Sequence, residues 1–196
     1  MAHHIYQTEG YVLGTSPSGE ANAYIRIYTK DLGLIHATAQ GIRWQKSKLK
    51  YALQEFSYAQ VSIVRGKEIW RITNARPEHN LFFLFRDRPV EQEAVVRILS
   101  ILERLVTGEE SQAELFFMIH SAFEFLETNN LTAAQVRLFE YIVLISMLDY
   151  LGYGPEAESL TRFAREPLSL GLLEEMDAVR AEAATFIRGS IRESQL

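Results

Sequence analysis

The feature that most constrains this chain is a change of hydrophobic period near Pro77. Before it, apolar residues alternate with polar ones in short runs broken by turn signals. After it, they recur every three or four residues over long stretches. Strand side chains point alternately to opposite faces, whereas a helix gathers one apolar stripe at a period of about 3.6 residues. A chain holding the two patterns one after the other, rather than interleaved, belongs to the α+β class. The expected organisation is two domains: residues 1–76 as an OB-like five-stranded β-barrel and residues 77–196 as a helical domain.

Within the first part, Tyr6 to Leu13 reads as a strand, and Gly14-Thr15-Ser16-Pro17-Ser18-Gly19-Glu20 has the composition of a loop. Residues 23 to 29 alternate. Ala23, Ile25 and Ile27 point one way as a core face, and Tyr24, Arg26 and Tyr28 point the other as an aromatic–cation–aromatic row. Lys30-Asp31-Leu32-Gly33 turns the chain into a third strand, Leu34 to Ala39. Phe56 to Val64 and Glu68 to Ala75 are two more, joined by Arg65-Gly66-Lys67. Five short strands with the longest interruption between the third and fourth suit an OB-like barrel, which binds oligonucleotides on one strand face and between its loops.

That interruption carries the most distinctive composition in the chain. Arg43, Lys46, Lys48 and Lys50 fall within eight residues together with Trp44, and no acid lies among them. Such a segment can neutralise phosphates and stack a base on its indole. The net charge of −5 conceals this, because residues 1–76 hold ten Lys/Arg against five Asp/Glu while residues 77–196 hold ten against twenty. The basic part has the charge to meet a polyanion, and the acidic part has a different task.

In the second part, Val90 through Val106 places Ala94, Val95, Ile98, Leu102 and Leu105 on one stripe after Pro89. Ser111-Gln112-Ala113-Glu114 and Thr132-Ala133-Ala134-Gln135 have the form of capping boxes ahead of two further helices. The second of these runs to about Leu151, apolar on most sides, and Gly152-Tyr153-Gly154-Pro155 ends it. A short helical turn over Leu160 to Phe163 and an amphipathic helix over Leu172 to Ile187 follow, the latter with Met176, Val179, Ala183 and Phe186 inward.

Several function classes are excluded. The absence of cysteine removes disulfides and thiolate metal sites. The histidines His3, His4, His36, His79 and His120 show no metal-ligand spacing. Glu109-Glu110 and Glu174-Glu175 are adjacent in sequence and do not face each other on a helix. No glycine-rich phosphate loop or nucleophile elbow is present, so neither enzymatic activity nor a cofactor is expected. No uncharged apolar run reaches the roughly eighteen residues of a membrane span, and the first residues lack the pattern of a secretory signal. The cytoplasm, in association with the nucleoid, is the expected location.

The barrel, the basic segment and the helices together resemble the RecO family of bacterial recombination mediators. The resemblance rests on Gly19-Glu20, Tyr28-Thr29-Lys30-Asp31-Leu32-Gly33, Gly41-Ile42-Arg43, Lys46-Ser47-Lys48-Leu49 and Leu53-Gln54-Glu55-Phe56, in that order and spacing. In the second part it rests on Phe139-Glu140 and Leu151-Gly152-Tyr153-Gly154-Pro155. It implies an OB barrel on a helical body that binds single- and double-stranded DNA and anneals complementary strands. It also implies help in loading recombinase, with RecR, onto strands coated by single-strand-binding protein.

Arg43, Lys46 and Lys48 carry over as the basic residues on the matching motif; the reading of the residues themselves adds Lys50, Trp44, Arg26, Tyr24 and Tyr28. The resemblance also implies an apolar groove on the helical body for the acidic, aromatic-ended C-terminal tail of single-strand-binding protein. Arg97 and Arg137 are candidate contacts there as cations on apolar helices. Many family members carry zinc-binding cysteines soon after the Gly-Pro turn, and Glu156 to Phe163 has none, so zinc is not expected. The alternative reading is a barrel-and-helix scaffold whose basic patch meets an acidic protein.

Overall fold

A computed structural model describes residues 4–67 and 69–194. His3 and Glu68, the latter the expected start of a strand, lie outside the described residues. The elements in order are β1 (Ile5–Ser18), β2 (Asn22–Thr29), β3 (Gly33–Ala39), α1 (Leu49–Ala52), β4 (Ser57–Arg65), β5 (Trp70–Asn80) and α2 (Leu81–Leu84). Five helices follow: α3 (Pro89–Leu105), α4 (Ala113–Thr128), α5 (Ala133–Tyr150), α6 (Glu158–Arg165) and α7 (Leu170–Glu193). The chain forms two compact units, Met1–Asp87 with Val106–Ala113, and Arg88–Leu105 with Glu114–Leu196.

In the first unit the strands close into a barrel in the order β1-β2-β3-β5-β4. Pairing is antiparallel except between β3 and β5, which run parallel from Ala37 opposite Trp70 to Ala39 opposite Ile72. The order closes on itself through this three-residue β3–β5 pairing. Ala23, Ile25 and Ile27 are buried as the alternation requires, and they meet Val12, Ile35, Val61, Ile63 and Ile72 in one apolar cluster.

β1 is longer than its composition indicates. Gly14 to Ser18, which read as a loop, pair with Arg26 to Asn22 after a bulge between Val12 and Gly14. The Arg26 guanidinium lies over Gly14, in the space a Cβ there would take. The actual turn lies at residues 19–21, with Gly19 in the left-handed region at φ +65°. β5 likewise runs to Asn80 rather than stopping near Ala75, held by its ladder with β4 from Arg65–Trp70 to Ser57–Asn80.

The β2–β3 turn is tied down on three sides. Thr29 is buried and its hydroxyl donates to the Gly33 carbonyl at 2.9 Å, Thr8 donates to the Asp31 carboxylate at 2.6 Å, and Lys30 pairs with Glu9 at 3.2 Å. Residues 106–113 complete it. The Ser111 hydroxyl donates to the Lys30 carbonyl at 3.1 Å, so this serine binds the turn instead of serving as the expected helix cap.

In the second unit Ala94, Val95, Ile98 and Leu102 of α3 are buried as the stripe predicts, and Leu105 is half-buried. Thr132 and Gln135 form the expected capping box at the start of α5. α5 ends through Gly152 at φ +87° and a bond from the Tyr153 N–H to the Leu148 carbonyl at 2.8 Å. α6 and α7 extend beyond their expected limits. Ser169 starts α7 by accepting from the Leu172 N–H at 3.1 Å, and Leu173 and Ile187 are buried while Val179 and Phe186 are half-buried.

Gly33 and Gly19 share nearly the same backbone angle but not the same surroundings. A Cβ at Gly33 (φ +66°) would meet the Glu110 carbonyl, whereas a Cβ at Gly19 would meet nothing within 4 Å. Gly19→Ala should therefore cost about 1 kcal/mol for its backbone angle. Gly33→Ala should cost about 3 kcal/mol, because the 106–113 segment must also shift. Thermal or urea unfolding measures both, and equal losses would contradict the docking of that segment on the turn.

Candidate nucleic-acid interface

Because β5 lies between β3 and β4, the chain leaving β3 cannot turn directly into β4. Residues 40–56 must cross to reach it. Two sides of this connection separate by chemistry. Ile42, Ala52 and Leu53 are buried in the barrel cluster with Leu49 packed beside them, Ile42 and Leu53 each contributing about 1.5–3 kcal/mol. Arg43, Lys46, Lys48 and Lys50 are exposed. Lys46, Lys48 and Lys50 have no carboxylate partner among the described residues.

The start of the connection is fixed to the β1–β2 turn. The Gly41 N–H donates to Asn22 Oδ1 at 2.9 Å, the Arg43 N–H to the Ala21 carbonyl at 3.0 Å, and Arg43 Nη1 to the Gly19 carbonyl at 2.7 Å. Two successive turns follow, from the Trp44 N–H to the Gly41 carbonyl at 3.2 Å and from the Ser47 N–H to the Trp44 carbonyl at 3.0 Å. At the far end the Phe56 N–H donates to the Val12 carbonyl at 2.8 Å. The cations thus stand on a segment anchored at both ends.

Trp44 is 68% exposed, and its six-membered ring lies over Gly41, where a Cβ would come within 3.2 Å. Tyr51, on the exposed side of α1, is equally open at 68%. In the sequence it adjoins Ala52 and Leu53 in an apolar-looking run, which masks its exposure. On the strand face Tyr24 is exposed and Arg26 half-exposed against Gly14. Tyr24 stands opposite Thr38, and Thr38 opposite Arg71, so the exposed Arg71 of β5 extends this row by one strand. Its membership depends on the parallel β3–β5 register, which no local pattern reveals.

Tyr28 is a correction. Alternation puts it with Tyr24 and Arg26, yet it is fully buried, and its hydroxyl donates to the Gln112 carbonyl at 3.5 Å. The 106–113 segment covers that end of β2, and a segment some eighty residues downstream leaves no mark on the local period. Tyr28 is packing, not surface.

Between the connection and the β1–β2 hairpin lies a cleft of about 460 Å³. Pro17, Ala23, Ile42 and Leu53 supply apolar walls, and Arg43 and Lys50 line it as well. In the helical unit the two expected partner contacts differ. Arg137 is exposed on α5. Arg97 is engaged instead with its own protein: Nε and Nη2 donate to the two oxygens of Glu140, each at 2.7 Å, and Nη1 to Glu93 at 3.3 Å. The Glu140 hydrogen bonds raise the Arg97 pKa above its ordinary value against the opposing effect of burial. A separate groove of about 370 Å³ runs between α4 and α5, with Met118, Phe125, Ile142 and Val143 in its walls and Arg165, Glu166 and Leu168 beside them, Arg165 pairing with Asp149 at 3.6 Å.

Comparison with known proteins matches two stretches of the chain. Residues 1–81 match the family described as "Recombination protein O N terminal", and residues 94–163 match "Recombination protein O C terminal". Relatives include the DNA repair protein RecO of Alkaliphilus metalliredigens, 24% identical over 79% of this chain and 61% of the relative. Those of Dehalococcoides mccartyi and Heliobacterium modesticaldum are 31% and 27% identical, over 78% and 85% of this chain and 58% of each relative. The chain belongs to the RecO family. It spans about three fifths of the length of the curated relatives it matches.

The motifs that carry the RecO resemblance divide between structure and surface. Tyr28 to Gly33 form the tied-down β2–β3 turn, and Gly152 to Gly154 close α5, where a Cβ on Gly154 would meet the Asp149 carboxylate. Gly41 to Arg43 and Lys46 to Leu49 are the connection that displays the cations. No helix among the described residues is long and apolar enough to cross a membrane.

The Arg97–Glu140 pair yields a stability test. Arg97→Met leaves the Glu140 carboxylate buried without its bidentate partner and should lower stability by about 2–3 kcal/mol. Adding Glu140→Met should recover most of the loss. A double variant no more stable than the single one would contradict the assignment.

Proposed function

We propose that this chain is a non-enzymatic DNA-binding mediator of recombination and repair that uses its barrel to hold single- and double-stranded DNA. Membership of the RecO family supports the general role. One observation supports the site: three lysines without carboxylate partners, together with Arg43, occupy the outer side of a connection whose inner side plugs the barrel. The four cations neutralise successive phosphates, Trp44 offers its open indole to a base, and Tyr24, Arg26 and Arg71 continue the surface along the strands. Binding of this kind tolerates any sequence and releases counterions as phosphates are neutralised. Annealing of complementary strands, and recombinase loading with RecR on strands coated by single-strand-binding protein, are the activities the family relationship supports.

The helical unit's part in this reading is a contact with the C-terminal tail of single-strand-binding protein. The apolar walls of the groove between α4 and α5 support it, because they suit the aromatic end of the peptide; Arg165 lines the groove too, paired with Asp149 and next to Glu166. Arg137 remains a candidate contact on α5, and Arg97 serves the fold through Glu140.

The test is fluorescence-anisotropy titration of a labelled single-stranded oligonucleotide at two salt concentrations. The double charge reversal Lys46→Glu/Lys48→Glu should weaken binding at least about tenfold and flatten the salt dependence by about one to two phosphate equivalents. Unchanged affinity would remove the connection from the site. Absence of DNA binding at low salt, with saturable binding to an acidic protein, would favour the scaffold reading. For the groove, a tail peptide should bind the native protein and lose about tenfold with Arg165→Glu; no effect of that variant would remove the groove.

A further inference from the structure

We infer that the cleft beside the basic connection is a receptor for one unpaired nucleobase, so that the barrel grips single strands partly through a base lodged in it. The inference rests on the DNA-binding reading and adds to it the form of nucleic acid and the place where a base sits. At about 460 Å³ the cleft falls within the usual range of small-molecule sites, roughly 300–1,000 Å³. Pro17 supplies an exposed apolar wall over a floor in which Ala23, Ile42 and Leu53 are nearly buried, a surface that suits the flat face of a heterocycle.

Polar groups line the cleft as well, Thr15 with its hydroxyl already donating to the Leu53 carbonyl at 3.2 Å. Thr15, Gln54 and Glu55 also line the cleft, and Glu55 Oε1 already accepts the Thr15 N–H at 3.1 Å, which holds the carboxylate in place. Arg43 and Lys50 are shared between the cleft and the basic connection, so a strand whose base enters would have a cation for its own phosphate. Arg43 is also pre-positioned through its 2.7 Å bond to the Gly19 carbonyl. An occupant that is flat and apolar on its faces, polar at its edge and tethered to anions is a nucleotide in a strand. A duplex keeps its bases stacked and paired, and extruding one costs a few kcal/mol. The cleft therefore favours single strands.

The test separates this cleft from stacking on Trp44. In a Trp44→Ala background, two single-stranded oligonucleotides of equal length are titrated at low salt, one of thymidines and one with abasic sugars throughout. Their phosphates are the same. The base-bearing strand should bind about tenfold tighter. Adding Gln54→Trp, which fills the cleft without removing a cation, should abolish that preference and leave abasic binding unchanged. Equal affinity of the two strands before Gln54→Trp is added would overturn the inference while leaving the phosphate-binding reading intact. So would a preference that survives Gln54→Trp, or displacement by an acidic aromatic peptide of both strands alike with no base preference. Failure of both strands to bind would instead overturn the DNA-binding reading itself, and the cleft with it.

Discussion

Closure of the barrel through the parallel pairing of β3 with β5 is the constraint on which the rest of the first unit depends. Once β5 occupies the place beside β3, the chain must cross to begin β4. A crossing segment near the barrel core is obliged to bury something, and Ile42, Ala52 and Leu53 are what it buries. The remaining residues of the same segment then have only the outside available. Display of Arg43, Lys46, Lys48 and Lys50 is in this sense a consequence of topology acting on an amphipathic sequence.

The barrel is made rigid in the places where this segment is attached. Gly41 and Arg43 are bonded to the β1–β2 turn, and Phe56 to β1. Phe56 holds a left-handed backbone at φ +65°, an uncommon state for a side chain of its size, as the chain re-enters the sheet. A nucleic-acid strand meeting the cations would therefore find them on an anchored support, with less ordering to be done on binding. The exposed rings of Trp44 and Tyr51 belong to the same support.

The sequence reveals much of this for a physical reason: period and composition are local. The alternation at Ala23 to Ile27, the α3 stripe, the Thr132–Gln135 capping box and the basic run are each readable within a few residues, and the structure contains them all. What was not legible came from contacts distant in sequence. Gly14 to Ser18 looked like a loop because Gly, Ser and Pro are turn formers, but a hairpin partner was available to pair with them. Tyr28 looked like surface because nothing nearby reports that residues 106–113 cover it. Arg97 looked like an unengaged cation because Glu140 lies on another helix. Of the surface itself, Arg71 and Tyr51 were missed, one for want of strand register and the other because it sits among core residues.

The central claim is that the outer side of the residue 40–56 connection, with the adjoining β1–β2 hairpin, meets nucleic acid. Amide chemical-shift mapping by NMR, with a short single-stranded oligonucleotide added stepwise to the intact protein, tests it most directly. The account predicts shifts concentrated in residues 19–26 and 41–55 and extending to Arg71. Shifts confined to the helical unit, or no shifts at low salt, would contradict it.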